Sequence, residues 1–285
     1  MARIQFPFRL LKVTLTAASA ALVTSTNCLP RVQAQPLSDL AMQFVPPAPP
    51  DRGAPSGRPR GGASRGNCPA VSKPLTAVVP ATQKTLGGKP ARSALTTYES
   101  VWGLTVAEHP TLWFYVPYSL TPKLPIEFVL QDEHGNYVYK TSFTATETQP
   151  GIVRFHLPST IAPLEVGKMY HWYFLIDCAP DAPTSVDGWI QRVPMNPTFT
   201  SKSQKATPLQ RVALYANNGI WYDALTTLAE LQIANPSDAT LSNDWVSLLN
   251  SVGLEAIAHE PISQCCTIEK RAAQSQFPTS TKGAQ

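Results

Sequence analysis

Between residues 75 and 193, apolar and polar side chains alternate in short runs that are separated by turn residues. Apolar residues recur at every second position from 126 to 130, and residues 133–136 supply a turn before the next run begins. Because successive side chains of a strand point to opposite faces, this pattern predicts a hairpin with one buried face. Similar runs occur at residues 75–79, 112–118, 152–157, 169–178 and 189–193. About seven short strands without intervening helices predict a mainly β domain at residues 68–196, an immunoglobulin-like β-sandwich.

The run at residues 169–178 carries a more specific signal. Leu164, Gly167, Tyr170 and Trp172 are spaced as in the corner that precedes a central strand of such sandwiches, where a tyrosine hydroxyl bonds back to the backbone. Tyr170 and Trp172 also share one strand face with further apolar side chains, and a face that apolar is normally core. We therefore expect both residues to be structural, and ligand stacking by these rings is the alternative.

Beyond residue 196 the apolar positions take the period of a helix. Thr207, Pro208 and Gln210 combine a capping threonine, a proline at the first helical position and a glutamine at the third. The stretch from 207 to 252 then resembles a tetratricopeptide-type helical hairpin, in which a glycine permits the turn and an alanine lets two helices approach. The matching positions are Tyr215, Gly219, Trp221, Ala224, Leu225, Leu228, Leu231 and Pro236.

This helical unit, at residues 205–260, departs from the repeat family in two respects. Pro208 and Val212 stand where the family has a tryptophan and a glycine, and the second repeat is incomplete. Solenoids usually need at least about three repeats to be stable. We therefore expect the unit to dock on the β-sandwich, with Trp221 and Ala224 in the packed core rather than in a ligand site.

The first 34 residues predict export. Basic residues up to Lys12 precede an uncharged run of signal-peptide length, and a small-x-small site ending at Ala34 predicts cleavage before Gln35. An uncleaved anchor is the alternative, although several threonines and serines weaken the preference of this run for hydrocarbon. We expect an extracytoplasmic protein, periplasmic or secreted, without stable membrane insertion after cleavage.

Charge and composition restrict the possible partners and the extent of the folded region. The leader holds four of the 23 basic residues and none of the 19 acidic ones, so the mature chain has no net charge. That removes the electrostatic argument for a nucleic-acid partner. Residues 35–67 contain seven prolines and five glycines, which predicts a disordered linker, and residues 270–285 predict a disordered tail.

The cysteines fit an oxidising compartment. The mature chain keeps Cys68, Cys178, Cys265 and Cys266, and export makes disulfides the default. Adjacent cysteines pair poorly, because neighbouring Cα atoms lie about 3.8 Å apart and disulfides prefer roughly 4.4 to 6.8 Å. We therefore expect a bond between Cys68 and Cys178. Free thiols and other pairings remain open, as does the state of Cys265 and Cys266.

No catalytic, cofactor or metal motif stands out. The five histidines and the cysteines lack the spacings that place two metal ligands on one face, and no G-x-S-x-G nucleophile motif is present. We therefore expect no cofactor and assign no catalytic residue. A carboxylate pair assembled from distant strands stays possible in principle.

A set of landmarks along residues 58–260 resembles the exported cyanobacterial family catalogued as domain of unknown function 928. The resemblance implies a bacterial envelope location, but it supplies no activity and no site residues. The landmarks are Arg58, Arg60, Gly61, Gly62, Cys68, residues 78–80, Pro110, residues 112–117, Pro150, Gly151, Gly167, Tyr170, Trp172, Cys178, Gly188 and residues 219–224.

Two functional classes follow from these patterns. The first is a non-catalytic envelope protein whose sandwich and helices present a surface to a protein or glycan partner. The second is a hydrolase acting on cell-wall or extracellular polysaccharide. A deep cleft with converging acids and raised carboxyl pKa values would favour the enzyme, whereas a shallow groove with exposed aromatics would favour binding.

Overall fold

A computed structural model describes most of the chain from Met42 to Cys265. The described residues are 42–50, 53, 55–61, 68–85, 97–145, 147–178, 183–263 and 265. All of them belong to a single compact unit. The signal peptide predicted at residues 1–34 and the tail predicted at 270–285 lie outside the described residues.

The described residues form nine strands in two sheets. The smaller sheet has the order β1-β4-β7, and the larger has the order β2-β3-β9-β8-β5-β6. Neighbouring strands are antiparallel except for β3 and β9, which run parallel. The strands are β1 (Thr76–Ala77), β2 (Ala81–Thr85), β3 (Thr97–Thr105), β4 (Thr111–Val116), β5 (Ile126–Asp132), β6 (Tyr137–Phe143), β7 (Gly151–His156), β8 (Met169–Ile176) and β9 (Thr184–Arg192).

The β5–β6 hairpin and strand β8 illustrate how turn residues and alternation in the sequence produce these elements. The turn of the hairpin is closed by Asp132, whose carboxylate accepts the backbone N–H groups of His134 and Asn136 at 2.9 Å. Gly135 has φ = 84°, a conformation that a glycine adopts without strain. In β8 buried and half-buried positions alternate along the whole strand. The prediction of a mainly β architecture is confirmed.

Aromatic side chains from the two sheets fill the space between them. Phe114 of β4 stacks on Phe174 of β8 with ring centroids 4.0 Å apart, and it meets Trp172 edge to face. Phe128 of β5 stacks on Phe155 of β7, also at 4.0 Å. Such rings bury a large apolar area each, so they form the centre of the core.

Four helices follow the last strand, and the predicted helical C-terminal part is confirmed. The capping box of Thr207 and Gln210 is present at the start of the second helix, and Asp238 caps the fourth. Gly219, with φ = 72°, forms the turn between the second and third helices. The helices are α1 (Pro197–Lys205), α2 (Pro208–Asn217), α3 (Trp221–Ala234) and α4 (Ala239–Asn250), followed by a 3-10 turn at Glu255–Ile257.

Helix α3 is hydrogen-bonded to both sheets. The indole N–H of Trp221 donates to the carbonyl of Val78, which follows β1, at 2.9 Å. On the larger sheet, Trp172 donates to the hydroxyl of Tyr222 at 3.0 Å. Gly103 of β3 permits this approach, because a Cβ there would lie 2.9 Å from the ring of Tyr222. The first turn of α3 is therefore fixed in the core.

The described part of residues 35–67 is ordered, so the prediction of a disordered linker is wrong for residues 42–50 and 55–61. Met42 and Phe44 are buried in the core, and Phe44 meets Trp221 edge to face. Arg58 exchanges two backbone hydrogen bonds with Asp187 of β9. The composition indicated no core, but two apolar anchors and pairing with strand backbones suffice to hold the segment.

The predicted disulfide between Cys68 and Cys178 is confirmed, with a Cα–Cα distance of 4.9 Å. Cys68 precedes β1 of the smaller sheet, and Cys178 follows β8 of the larger. The bond therefore links the segment before β1 to the end of β8. Cys265 is also disulfide-bonded.

The burial of Trp221 leads to the first prediction. Trp221→Ala should lower the free energy of unfolding by about 3 to 5 kcal/mol, because it leaves a large cavity and removes the partner of the Val78 carbonyl. Urea denaturation followed by circular dichroism measures this change. The matched control is Tyr137→Ala, because Tyr137 is 68% exposed and should contribute less than about 0.5 kcal/mol. Equal stability of the two variants would contradict the packing role of Trp221.

The disulfide leads to the second prediction. The bond closes a loop with a sequence separation of 110, so the double variant Cys68→Ala/Cys178→Ala should lose up to about 4 to 5 kcal/mol of stability. Urea denaturation without reductant measures the loss. In dithiothreitol the wild type and the double variant should unfold at nearly the same urea concentration. A variant that matches the oxidised wild type would show that the bond does not stabilise the fold.

Candidate functional site

A groove of about 510 Å³ lies beside the C-terminal helices, and we call it the C-terminal groove. One wall comes from the end of α3 and from α4, and the other from the chain that follows the 3-10 turn. Its lining residues are Gln232, Ile233, Pro236, Ser242, Trp245, Val246 and residues 258–262.

The second wall is residues 258–263, which we call the strap: a turn at residues 258–260 followed by a short stretch that forms a β-bridge at Ile262. Its end pairs with β7 as a parallel strand: the N–H of Ile152 donates to the carbonyl of Pro261 at 2.7 Å, and the N–H of Ser263 donates to the carbonyl of Ile152 at 2.8 Å. Gly151 makes room for it, because a Cβ there would lie 2.5 Å from the Pro261 carbonyl. Glu260 of the strap also forms an ion pair with Lys73. The strap is therefore held firmly against the smaller sheet.

Two buried polar atoms of the groove residues lack partners. Trp245 is only 2% exposed, and its indole nitrogen has no hydrogen-bond partner among the described residues. The side-chain oxygen of Gln232 is also buried and has no partner within the same part of the chain. Each such group costs about 1 to 3 kcal/mol when it is left unsatisfied, so native proteins contain few of them. One donor and one acceptor on residues that line the groove are therefore buried without a partner in the described part of the chain.

A smaller hollow of about 230 Å³ lies between β3, β4, β7 and α3, and we call it the acidic pocket. The carboxylate of Asp223 accepts the hydroxyl of Thr105 at 2.8 Å and the N–H of Val106 at 3.1 Å. Burial raises the pKa of Asp223 to about 6, even though both hydrogen bonds act in the opposite direction. The lining residues are Thr105, Ala107, His109, Pro110, Thr111, His156, Tyr215, Tyr222, Asp223, Thr226, Thr227 and Glu230.

The imidazoles of the acidic pocket are hydrogen-bonded to the protein. Nδ1 of His156 lies 3.0 Å from the hydroxyl of Thr111, and Nε2 of His109 lies 3.1 Å from the carbonyl of Ile161. Burial, then the neighbouring His109 and Arg154, lower the pKa of His156. No group of three or more potential metal ligands occurs among the described histidine, cysteine and acidic residues. A carboxyl with a raised pKa near imidazoles is chemically suited to proton transfer.

The four core residues that the sequence analysis singled out lie outside both the C-terminal groove and the acidic pocket. Tyr170, Trp172, Trp221 and Ala224 are all buried, and none lines either hollow. The hydroxyl of Tyr170 accepts the N–H of Glu165 at 3.0 Å, so it bonds back to the backbone. All four belong to the buried hydrophobic core.

Neither Gln232 nor Trp245 was singled out from the sequence as a candidate site residue. The helical spacing of Trp245 with Leu248 and Leu249 marks it as buried. No pattern in the sequence reveals that its N–H lacks a partner, because that depends on residues brought in from other elements.

The raised pKa of Asp223 leads to the third prediction. Folding favours the protonated carboxyl, so its contribution to stability is fully present below about pH 4 and is lost as the pH rises through about 6. Asp223→Asn removes this titration. Between pH 4 and pH 7 the free energy of unfolding of the variant should therefore rise relative to that of the wild type, by up to about 3 kcal/mol.

Urea denaturation across this pH range measures the difference. The control is Asp132→Asn, because hydrogen bonds from Asn136 lower the pKa of Asp132 and place its titration below this range. A difference between Asp223→Asn and wild type that does not vary with pH would contradict the raised pKa.

Comparison with known proteins identifies a family. A search of the curated proteins found no match. None of the helices formed by the described residues is long and apolar enough to cross a membrane. The sequence model of the family described as Domain of Unknown Function (DUF928) matches residues 60–262, which include both sheets, all four helices and most of the strap. This match covers well over half of the chain and confirms the resemblance seen in the sequence, and the chain therefore belongs to the DUF928 family.

Proposed function

We propose that this protein is an exported, non-catalytic binding module of the bacterial envelope, which holds a protein or glycan partner in the C-terminal groove. The observation that carries this proposal is the pair of unpartnered polar atoms, on Trp245 and Gln232, among the lining residues. A ligand that supplies an acceptor to Trp245 and a donor to Gln232 removes the free-energy cost of leaving these two polar atoms unpaired.

The two hollows differ in volume and in how their polar groups are partnered, and both differences support a binding role over a catalytic one. The groove is the larger, at about 510 Å³ against about 230 Å³. In the acidic pocket, Asp223, His156 and His109 all have hydrogen-bond partners within the protein. Asp223 also has a structural role there, because it ties the first turn of α3 to the end of β3.

The disulfide and the leader support the proposed compartment. The Cys68–Cys178 bond fits an oxidising environment, in which disulfides form and persist. The leader has the three-part pattern of a signal peptide, so we propose that the mature chain begins at Gln35 in the periplasm or outside the cell.

We also infer that the two sheets are an immunoglobulin-like β-sandwich and that α2 and α3 are a tetratricopeptide-like hairpin docked on it. The bond from the Glu165 N–H to the Tyr170 hydroxyl supports the sandwich, because such a corner is typical of that fold. The positive φ of Gly219 and the hydrogen bonds of α3 to both sheets support the docked hairpin.

A hydrolase acting on cell-wall or extracellular polysaccharide is the second candidate, and it rests on the acidic pocket. Glu230 lines the same pocket as Asp223, whose pKa is raised to about 6, a value suited to a general acid. If this candidate is correct, Asp223→Asn and Glu230→Gln will each abolish hydrolysis of purified envelope polysaccharide. The absence of hydrolysis by the wild type would exclude the substrate tested.

The fourth prediction tests the binding role of the groove. Ser242 lines the groove on α4, and the neighbouring Asn243 is exposed and does not line it. Ser242→Trp should block the groove, whereas Asn243→Trp places the same side chain about 100° further around the helix, at an exposed position outside the groove. Immobilised wild type and Asn243→Trp should retain the same component of an envelope extract, and Ser242→Trp should lose at least about nine-tenths of it.

Mass spectrometry of the retained material measures this difference, and circular dichroism shows that both variants are folded. Equal retention by all three proteins, or by none, would contradict a binding role for the groove.

The fifth prediction concerns export. N-terminal sequencing of protein from an extracytoplasmic fraction should begin at Gln35 or a near neighbour, because the small-x-small site ends at Ala34. An intact Met1 on protein confined to the cytoplasm would contradict the compartment and remove the expectation of stable disulfides.

A further inference from the structure

We infer that the partner held in the C-terminal groove is an extended peptide segment, bound by its main-chain amides along the strap. This inference rests on the proposed function and adds the chemical class of the ligand. Two separate features of the groove support this inference. One involves side chains of the helical wall, and the other involves the backbone of the strap.

The first feature is the donor and acceptor on the helical wall. The indole of Trp245 can only donate a hydrogen bond, and the side-chain oxygen of Gln232 can only accept one. The peptide group has the complementary pair, because each non-proline residue presents one C=O and one N–H. An extended segment in the groove therefore offers an acceptor to Trp245 and a donor to Gln232.

The second feature is the backbone of the strap. Its pairing with β7 uses the carbonyl of Pro261 and the N–H of Ser263. In a strand the groups of the intervening residue point the opposite way, so the N–H and C=O of Ile262 point away from β7. Neither group has a hydrogen-bond partner among the described residues, and Ile262 lines the groove. The strap thus presents a short open strand edge, the feature to which peptides add as a further strand.

The walls also favour a peptide over a glycan. The apolar residues Ile233, Val246 and Ile262 line the groove, and such surfaces suit the apolar side chains of a peptide. Sugar hydroxyls could bond to Trp245 and Gln232, but they would leave the aliphatic walls and the strand edge unused.

The indole N–H of Trp245 gives a direct readout of binding. The chain has six tryptophans, so a ¹H–¹⁵N correlation spectrum of the full mature chain contains six indole signals. Trp113, Trp172, Trp189 and Trp221 already donate their indole N–H to protein oxygens. Trp245→Phe identifies the Trp245 signal by its loss.

Three probes are titrated into the wild type. The first is a pool of acetylated, amidated heptapeptides with Lys at both ends and Val, Ile, Leu, Ala or Thr at the five central positions. The second is the same pool with N-methylated central amides, which keeps the side chains and removes the N–H donors. The third is a neutral glucan hexasaccharide.

We expect the peptide pool to shift the Trp245 signal downfield and the N-methylated pool to bind at least about tenfold more weakly. Gln232→Leu keeps the size of the side chain and removes the acceptor. It should weaken peptide binding about tenfold without lowering the urea midpoint, because a buried unpartnered acceptor is lost. A purely structural role for Gln232 would instead lower the midpoint and leave the peptide titration unchanged.

The remaining outcomes separate this inference from the proposed function. A Trp245 shift with the glucan and none with the peptides would overturn the peptide inference and leave the groove as a binding site. The same holds if no probe shifts the signal while Ser242→Trp still abolishes retention of the envelope component. If none of the three probes binds and Ser242→Trp has no effect on retention, both the inference and the proposed function are wrong. Equal binding of the methylated and unmethylated pools would also overturn the role of the main-chain amides.

Discussion

The fold depends on hydrogen bonds from buried tryptophans that join helix α3 to both sheets. Burying a tryptophan removes a large apolar area from water, but its N–H must find an acceptor or the gain is largely lost. Trp221 reaches the Val78 carbonyl, Trp172 reaches Tyr222, and Trp113 donates to Thr226 at 3.0 Å. Because three donors from three elements must be satisfied together, α3 has one place in the molecule. Burial also raises the pKa of Tyr222, so its hydroxyl stays protonated and donates to the carbonyl of Trp189.

The position of α3 in turn decides where the groove forms. The end of α3 and the following α4 make one wall, and the strap, paired with β7 and linked to Lys73, makes the other. The two walls are thus anchored on different parts of the core. Trp245 is conspicuous in this setting, because four of the six tryptophans donate to protein oxygens while its own buried N–H has no partner among the described residues. The same energetic rule that fixes the helix is the reason why we propose the groove as a binding site.

Local patterns predicted the elements whose interactions are close in sequence. The alternation in β8, the capping box of Thr207 and Gln210, and the turn at Gly219 all depend on neighbours within a few residues. The Cys68–Cys178 pair was predicted on another basis, because disulfides are the default in an exported chain, and it is confirmed although its cysteines are 110 residues apart. Residues 42–50 and 55–61 were misjudged, since Met42 and Phe44 are too few to form a period and the partners of these segments lie on distant strands and helices.

The sequence by itself determined the family, the mainly β core, the C-terminal helices and the disulfide. The strands and helices follow from periodicity and capping residues, which act over short distances along the chain, and the family follows from sequence motifs. Only the tertiary structure decided that α3 bonds to both sheets, that the strap joins β7, and that Gln232 and Trp245 keep unused polar atoms in one groove. Whether a buried polar atom has a partner depends on every element packed around it, and no local pattern contains that information.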